Sequence, residues 1–268
     1  MTASSERGPA PLTTADIRKK LLARAEPSRV PGASRFFKTG AGEYGEGDVF
    51  IGVRVPALRD VCRECRGAGL PEIRALLRSP VHEERALALL LLVDRFHRQD
   101  EIEQRRVYEF YLSHTAFINN WDLVDCSAAA IVGRWLQERD RSPLQKLARS
   151  RSVWERRIAI VATYHFIRQK EFRDTLRIAD ILLGDSHDLV HKAVGWMLRE
   201  VGKRDRSVER RFLKTRAHRM PRTMLRYAIE TFSPAERQMY LRMGKKTPRA
   251  GASVSSRRAA APGRAEHR

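Results

Sequence analysis

The residues best equipped for chemistry stand in INNWDLVD, 118–125. Trp121 and Asp125 are four apart, so on a helix they share a face. Asp122 could instead serve the helix start. A buried Asp on an apolar helix needs a partner or a task. Trp154 and Trp196 fall near the starts or middles of later helices. Trp196 follows Gly195, whose missing side chain lets another backbone or a ligand approach. For any single Trp, core packing is the alternative. In WERRI, 154–158, Arg156 and Arg157 lie about 100° apart around a helix. One can face a groove and bind phosphate while the other pairs with an acid; a solvated charged face is the alternative.

Other patterns carry less. Gly40 to Asp48 is rich in glycine but fits neither a Walker loop nor a dinucleotide fingerprint. Glu43, Glu46 and Asp48 would repel phosphate, so an ordered connecting loop is expected. His187 and His191 are four apart without an HExxH pattern or a third ligand, which favours capping or packing. Cys62 and Cys65 form one CxxC without a second pair, so a structural role is expected and a zinc site is not. No catalytic Ser-His-Asp or kinase signature is present.

Helices must position these residues, because apolar spacing is helical nearly everywhere and strand signals are scarce. Thr14 is expected to cap a helix from about Ala15 to Ala25, with Ile17, Leu21 and Leu22 on one face. Pro56 and Pro71 open two more. Further helices are expected at 82–98, 101–116, 121–139, 143–149, 153–168, 171–184, 187–203, 207–215, 221–232 and 234–243. Five of them share a grain of charge followed by apolar residues, beginning at Glu84, Asp125, Arg156, His191 and Pro221. Those starts lie 41, 31, 35 and 30 residues apart. A period of that size with two helices per unit predicts an all-α, HEAT-like solenoid, a right-handed superhelix of antiparallel pairs whose second helices line a concave basic groove.

The 268-residue chain carries 52 basic and 32 acidic side chains, a net +20. Residues 244–268 hold seven basic residues and one acidic, so +6, and 1–14 balance to zero; 15–243 keeps +14. Such a charge points to a nucleic-acid partner. The expected organisation is a disordered start at 1–14, one helical domain at 15–243 and a disordered basic tail at 244–268. The longest apolar stretch, Ala86 to Val93, is far too short to span a bilayer. The start lacks a secretory signal, and three cysteines suit a reducing compartment. A cytoplasmic bacterial monomer, associated with the nucleoid through DNA, is expected.

The segments RFFKTG…GEYGEGDVFIGVRVP at 35–56, INNWDLVD, WERRIAI, HKAVGWMLREVGKRD at 191–205 and MPRTMLRYAIE at 220–230 resemble the AlkD-type DNA alkylation repair proteins. The resemblance covers about 15–243. It implies a HEAT-like monofunctional DNA glycosylase that removes purines alkylated at N3 or N7 from double-stranded DNA. It implies that Trp121 and Trp196 flank the damaged nucleotide's sugar, with Asp125 beside it as the catalytic carboxylate. Arg157 would contact the DNA backbone. Arg156, Phe36, Lys192, Arg199 and Lys203 are the further DNA-binding candidates. Phe36 falls where some members carry a Tyr, so a hydroxyl is missing there.

That chemistry is physically reasonable. Alkylation makes the purine a cationic leaving group, so no strong general acid is required. The growing positive charge on the sugar needs one carboxylate, as in glycoside hydrolysis. Indole faces add cation–π attraction. Neither metal nor cofactor is expected. Two other classes stay open: a non-catalytic binder of damaged or branched DNA, and a protein-binding HEAT scaffold.

Overall fold

The structure, a computed structural model, describes residues 12–243. The expected disordered segments lie almost wholly outside this range, at 1–11 and 244–268. The helices in chain order are α1 (Thr14–Leu22), α2 (Val30–Phe36), α3 (Val55–Glu64), α4 (Leu70–Leu77), α5 (His82–Arg98) and α6 (Glu101–Ser113). Then come α7 (Trp121–Ala128), α8 (Ser142–Ala148), α9 (Val153–Ala162), α10 (Tyr164–Arg168), α11 (Arg173–Ile181), α12 (Asp188–Arg204), α13 (Arg206–Arg216), α14 (Arg222–Ala228) and α15 (Pro234–Met243). Extended pairing among the described residues amounts to one isolated parallel bridge, Val49 with Val81.

The architecture is a helical-repeat solenoid. Helices α3, α5, α7, α9, α12 and α14 pack one on the next as an inner row. The outer row covers it: α4 and α6 lie on α5, α8 on α9, and α11 and α13 on α12. The inner helices thus line one face, and residues some thirty positions apart become neighbours. Between the rows runs a continuous apolar core, including Leu87, Leu92, Val124, Ile131, Ile160, Val194 and Leu225. Burial of each such side chain contributes roughly 1.5–3 kcal/mol.

Local chemistry moves several expected boundaries. Thr13, not Thr14, caps α1: its hydroxyl accepts from the Asp16 amide while Asp16 reaches back to the Thr13 amide. The helix stops at Leu22, which is exposed rather than in the Ile17–Leu21 stripe. The expected 153–168 helix is interrupted at Thr163, whose hydroxyl donates to the Ile160 carbonyl at 2.6 Å. The expected 121–139 helix passes into a π turn at Ala129–Gly133. Helix α2, preceded by a 3₁₀ turn at Pro27–Arg29, was not expected at all. Its one apolar stripe is too short to register as a period.

Candidate functional site

The charged residues that begin the repeated segments sit near the starts of inner helices, and the solenoid gathers them. Asn120 caps α7, its side-chain oxygen accepting the Trp121 amide at 2.8 Å. This fixes Trp121 as the first helical residue. Asp125 follows one turn later on the same face. Across the repeat, Ser152 caps α9 and brings Arg157 opposite. Arg157 Nε and Nη2 donate to the two Asp125 oxygens at 3.0 and 2.7 Å, and its Nη1 donates to the Leu189 carbonyl at 2.5 Å. Burial lifts the Asp125 carboxyl above the ordinary range, and the Arg157 charge pulls it back only in part. The two-pronged geometry is that of a carboxylate held by a guanidinium.

A cleft of about 450 Å³ opens beside this pair. Its wall brings together Phe36, Trp121, Asp125, Arg157, Lys192, Trp196 and Arg199. Residues separated by 163 positions thereby face one space. Trp121 stacks on Phe37 with ring centres 5.4 Å apart, and the exposed Phe36 meets it edge-on at 5.6 Å. Trp196 lies on α12 and leans on Tyr164 at 6.0 Å. Gly195 before it admits a backbone rather than a ligand. A Cβ there would overlap the Met224 carbonyl oxygen and the Tyr227 Cβ of α14.

The basic candidates divide. Arg157 is buried, with its three nitrogens all engaged by the protein, so its geometry assigns it the holding of Asp125 before any phosphate. Lys192 lines the cleft and pairs with Asp188 at 2.7 Å; Arg199 lines it and pairs with Glu230. Two candidates lie outside the cleft wall. Arg156 donates to Asp185 at 2.6 Å and to the Ser150 and Arg151 carbonyls, tying α9 to the α11–α12 connection. Lys203 pairs with Glu200 at 2.7 Å near the end of α12.

Four cleft residues escaped the sequence reading: Lys38, Tyr44, Leu189 and Tyr227. Tyr44 comes from the Gly-rich segment. That segment is an ordered connection, and Glu43 and Glu46 accept from the Gly40 and Gly42 amides at 3.0 and 2.9 Å. The acids turn onto their own loop, which therefore makes no phosphate cradle.

Behind Trp121 lies a buried ionic network that no spacing rule announces. His82, at the start of α5, donates through Nδ1 to Asp48 at 3.0 Å and through Nε2 to Asp122 at 2.8 Å. Its ring is flanked by Phe37 and Phe50, each 4.7 Å away. Burial opposes a charged imidazole, but the two acids outweigh it and raise its pKa to about 9. Arg85 completes the cluster on Asp48 at 2.5 Å, and Asn120 donates to Asp48 at 3.3 Å. Asp122 thus serves His82 rather than the helix start alone. The network clamps the 37–50 connection to the first turn of α7 and fixes both stacking partners of the cleft.

The remaining side patterns are structural. His187 Nδ1 accepts the Leu189 amide at 3.2 Å as a cap for α12, and His191 Nε2 donates to the Asp185 carbonyl at 2.5 Å. Cys62 and Cys65 are buried and unbridged, and burial pushes the Cys62 thiol up to about 11. Among the described residues no helix is long and apolar enough to cross a membrane.

The family model described as DNA alkylation repair enzyme matches residues 17–232. A solved structure described as a predicted DNA alkylation repair enzyme from Enterococcus faecalis superposes with a TM-score of 0.61. It is 16% identical and the match covers 79% of this chain and 98% of that one, a likeness of fold. No curated protein is significantly similar in sequence.

Proposed function

Since the chain belongs to the DNA alkylation repair enzyme family, we propose that it is a monofunctional DNA glycosylase. Its substrate would be double-stranded DNA bearing purines made cationic by alkylation at N3 or N7. The observation that carries this reading is the convergence of Trp121, Trp196 and the Asp125–Arg157 pair on one cleft. A positively charged nucleotide placed there meets two indole faces, each worth roughly 0.5–2 kcal/mol of cation–π attraction. As the glycosidic bond lengthens, positive charge grows on the sugar. The Asp125 carboxylate stabilises that charge and accepts a hydrogen bond from the attacking water. Arg157 lowers the negative charge available but fixes both oxygens in place, so no reorganisation is needed when the bond breaks. The departing purine is a neutral alkylated base, which needs no general acid.

Binding rests on the +14 of residues 15–243 and on backbone contacts, since no base-reading motif is recognisable. Lys192, Arg199 and Phe36 would contact the strand that enters the cleft. Incubation with methylated duplex DNA, followed by chromatography of released bases, tests the assignment. Free 7-methylguanine or 3-methyladenine is expected. Salt-sensitive DNA binding without base release would leave the chain a binding protein, and absence of DNA binding would overturn both readings.

A further inference from the structure

Asp125 borders a second cavity. Its volume is about 450 Å³, and its wall includes His97, Arg134, Tyr164, His165 and Arg168. Two backbone irregularities at one level lie behind it. The inner row passes through the π turn at Ala129–Gly133, and the next inner segment breaks at Thr163. A π turn adds a residue to the helical turn and is frequent at functional sites. Gly133 within it lets the Ala162 carbonyl and the His165 Cβ come directly against the helix.

The charge of this cavity is one-sided. Its neighbouring acids are already engaged, Asp125 by Arg157 and Glu171 by Arg141 and Gln137. Arg134 and Arg168 have no acidic partner among the described residues. The histidines register the resulting field. His165 is pushed down to about 4, first by burial and then by Arg134 and Arg168. His97 is lowered by burial and by Arg134. Tyr164 joins the two spaces, since its ring also leans on Trp196. One inner face therefore presents an aromatic cleft whose Arg157, Lys192 and Arg199 are paired with acids, beside a cavity whose two arginines are not.

We propose that this second cavity is a phosphate site for the DNA backbone, with Arg134 and Arg168 as its two cationic ligands. The inference rests on the alkylation-repair reading and deepens it. A lesion nucleotide carries a cationic base and anionic phosphates. An aromatic cleft with paired cations beside a cavity with unpaired arginines sorts the two ends of that nucleotide. Electrostatic repulsion keeps the cationic base out of the basic cavity and draws a phosphate into it.

The test is an Arg134→Gln/Arg168→Gln variant of the full chain, compared with Lys146→Gln/Arg177→Gln. The latter removes the same charge from exposed residues on outer helices α8 and α11. Affinity for duplex DNA is read from about 50 to 200 mM salt. The pocket variant is expected to lose about 1–2 from the slope of log affinity against log salt. It should bind about tenfold or more weakly at the low-salt end, and the control should keep nearly the wild-type slope. Thermal melting is run on all three, so that a loss of affinity is compared between equally folded proteins. A wild-type slope in the pocket variant, or equal losses in both variants, overturns the inference. So does a site that takes inorganic phosphate alone while the DNA slope is unchanged. Failure of the wild-type chain to bind DNA at all would instead overturn the alkylation-repair reading, which keeps the two failures distinct.

Discussion

Asp125 and Arg157 form a two-pronged ion pair across consecutive inner helices, with Nε–Oδ1 at 3.0 Å and Nη2–Oδ2 at 2.7 Å. The pair joins two tasks that are usually separable. A carboxylate facing a developing cation is catalytic, and a carboxylate matched to a buried guanidinium is structural. On the proposed function one side chain does both, because Asp125 lines the cleft while Arg157 is almost wholly enclosed.

Replacing Asp125 by Asn should therefore cost stability as well as rate. The buried Arg157 would lose its counter-charge, a loss of about 2–3 kcal/mol, below the range for a fully enclosed pair because Asp125 keeps 20% of its side chain exposed. Single-turnover base release should fall by about 10²–10³. Asp125→Asn/Arg157→Gln should recover much of the melting temperature and none of the rate. Recovery of both would remove the catalytic role from Asp125 and leave only the structural one.

The two indoles should act on rate without touching the pair. Trp121→Phe and Trp196→Phe each remove part of a cation–π surface, for a loss of about 3- to 30-fold in single-turnover release. The loss should be larger for a cationic 7-methylguanine substrate than for an uncharged lesion. Equal losses on both substrates would mean that the rings supply packing alone. Trp121 has the added support of Phe37, so its variant should melt nearer to wild type than a truncation to Ala would.

How much of this was legible in the chain depends on the distance over which each residue acts. Trp121 and Asp125 share one helix, and a four-residue spacing suffices to put them on a face. The repeat spacing of Asp125, Arg156 and His191 announced the inner row that carries Arg157 and Trp196 to the same cleft. The partner of Asp125 was not legible, because adjacent arginines at 156 and 157 differ only in which neighbour they meet. The His82 cluster was invisible for the same reason: Asp48 lies in a connection and Asp122 one repeat away. Tyr44 and Lys38 are delivered by that connection, whose path has no period. The π turn likewise leaves no signature in a run of Ala, Ile and Val.

Gly195 allows a sharp stability test. An Ala there drives its methyl into the Met224 carbonyl and Tyr227 Cβ, between two packed inner helices. Overpacking of this kind costs about 1–3 kcal/mol. Urea unfolding should show that loss with an unchanged m-value. Because α14 must shift to relieve the clash, Tyr227 moves at the rim of the cleft, and DNA affinity should weaken with it. A neutral Gly195→Ala would mean that α12 and α14 are less closely packed than the structure has them.

The pH dependence of stability isolates His82. Its folded pKa is raised to about 9, against about 6.5 when the chain is unfolded. A raised imidazole contributes fully below the unfolded value, and its contribution fades as pH climbs through the folded one. The folded chain should thus lose stability from about pH 6.5 to 9, by something on the order of 3 kcal/mol for this group. Glu209, whose carboxyl burial lifts to about 8, also loses stability as pH rises above its unfolded range. Comparison with His82→Gln removes that shared term, because Glu209 lies far along the chain on α13 and is present in both proteins. Urea unfolding at pH 6, 7, 8 and 9 should show the wild-type advantage shrinking step by step toward the variant. Base release measured on folded protein should fall over the same window only in the wild type, since loss of the Asp122 and Asp48 bonds frees the first turn of α7 and Trp121 with it. A constant difference in stability between the two proteins from pH 6 to 9 would mean that His82 is neutral in the folded chain and that the two acids hold it without its charge.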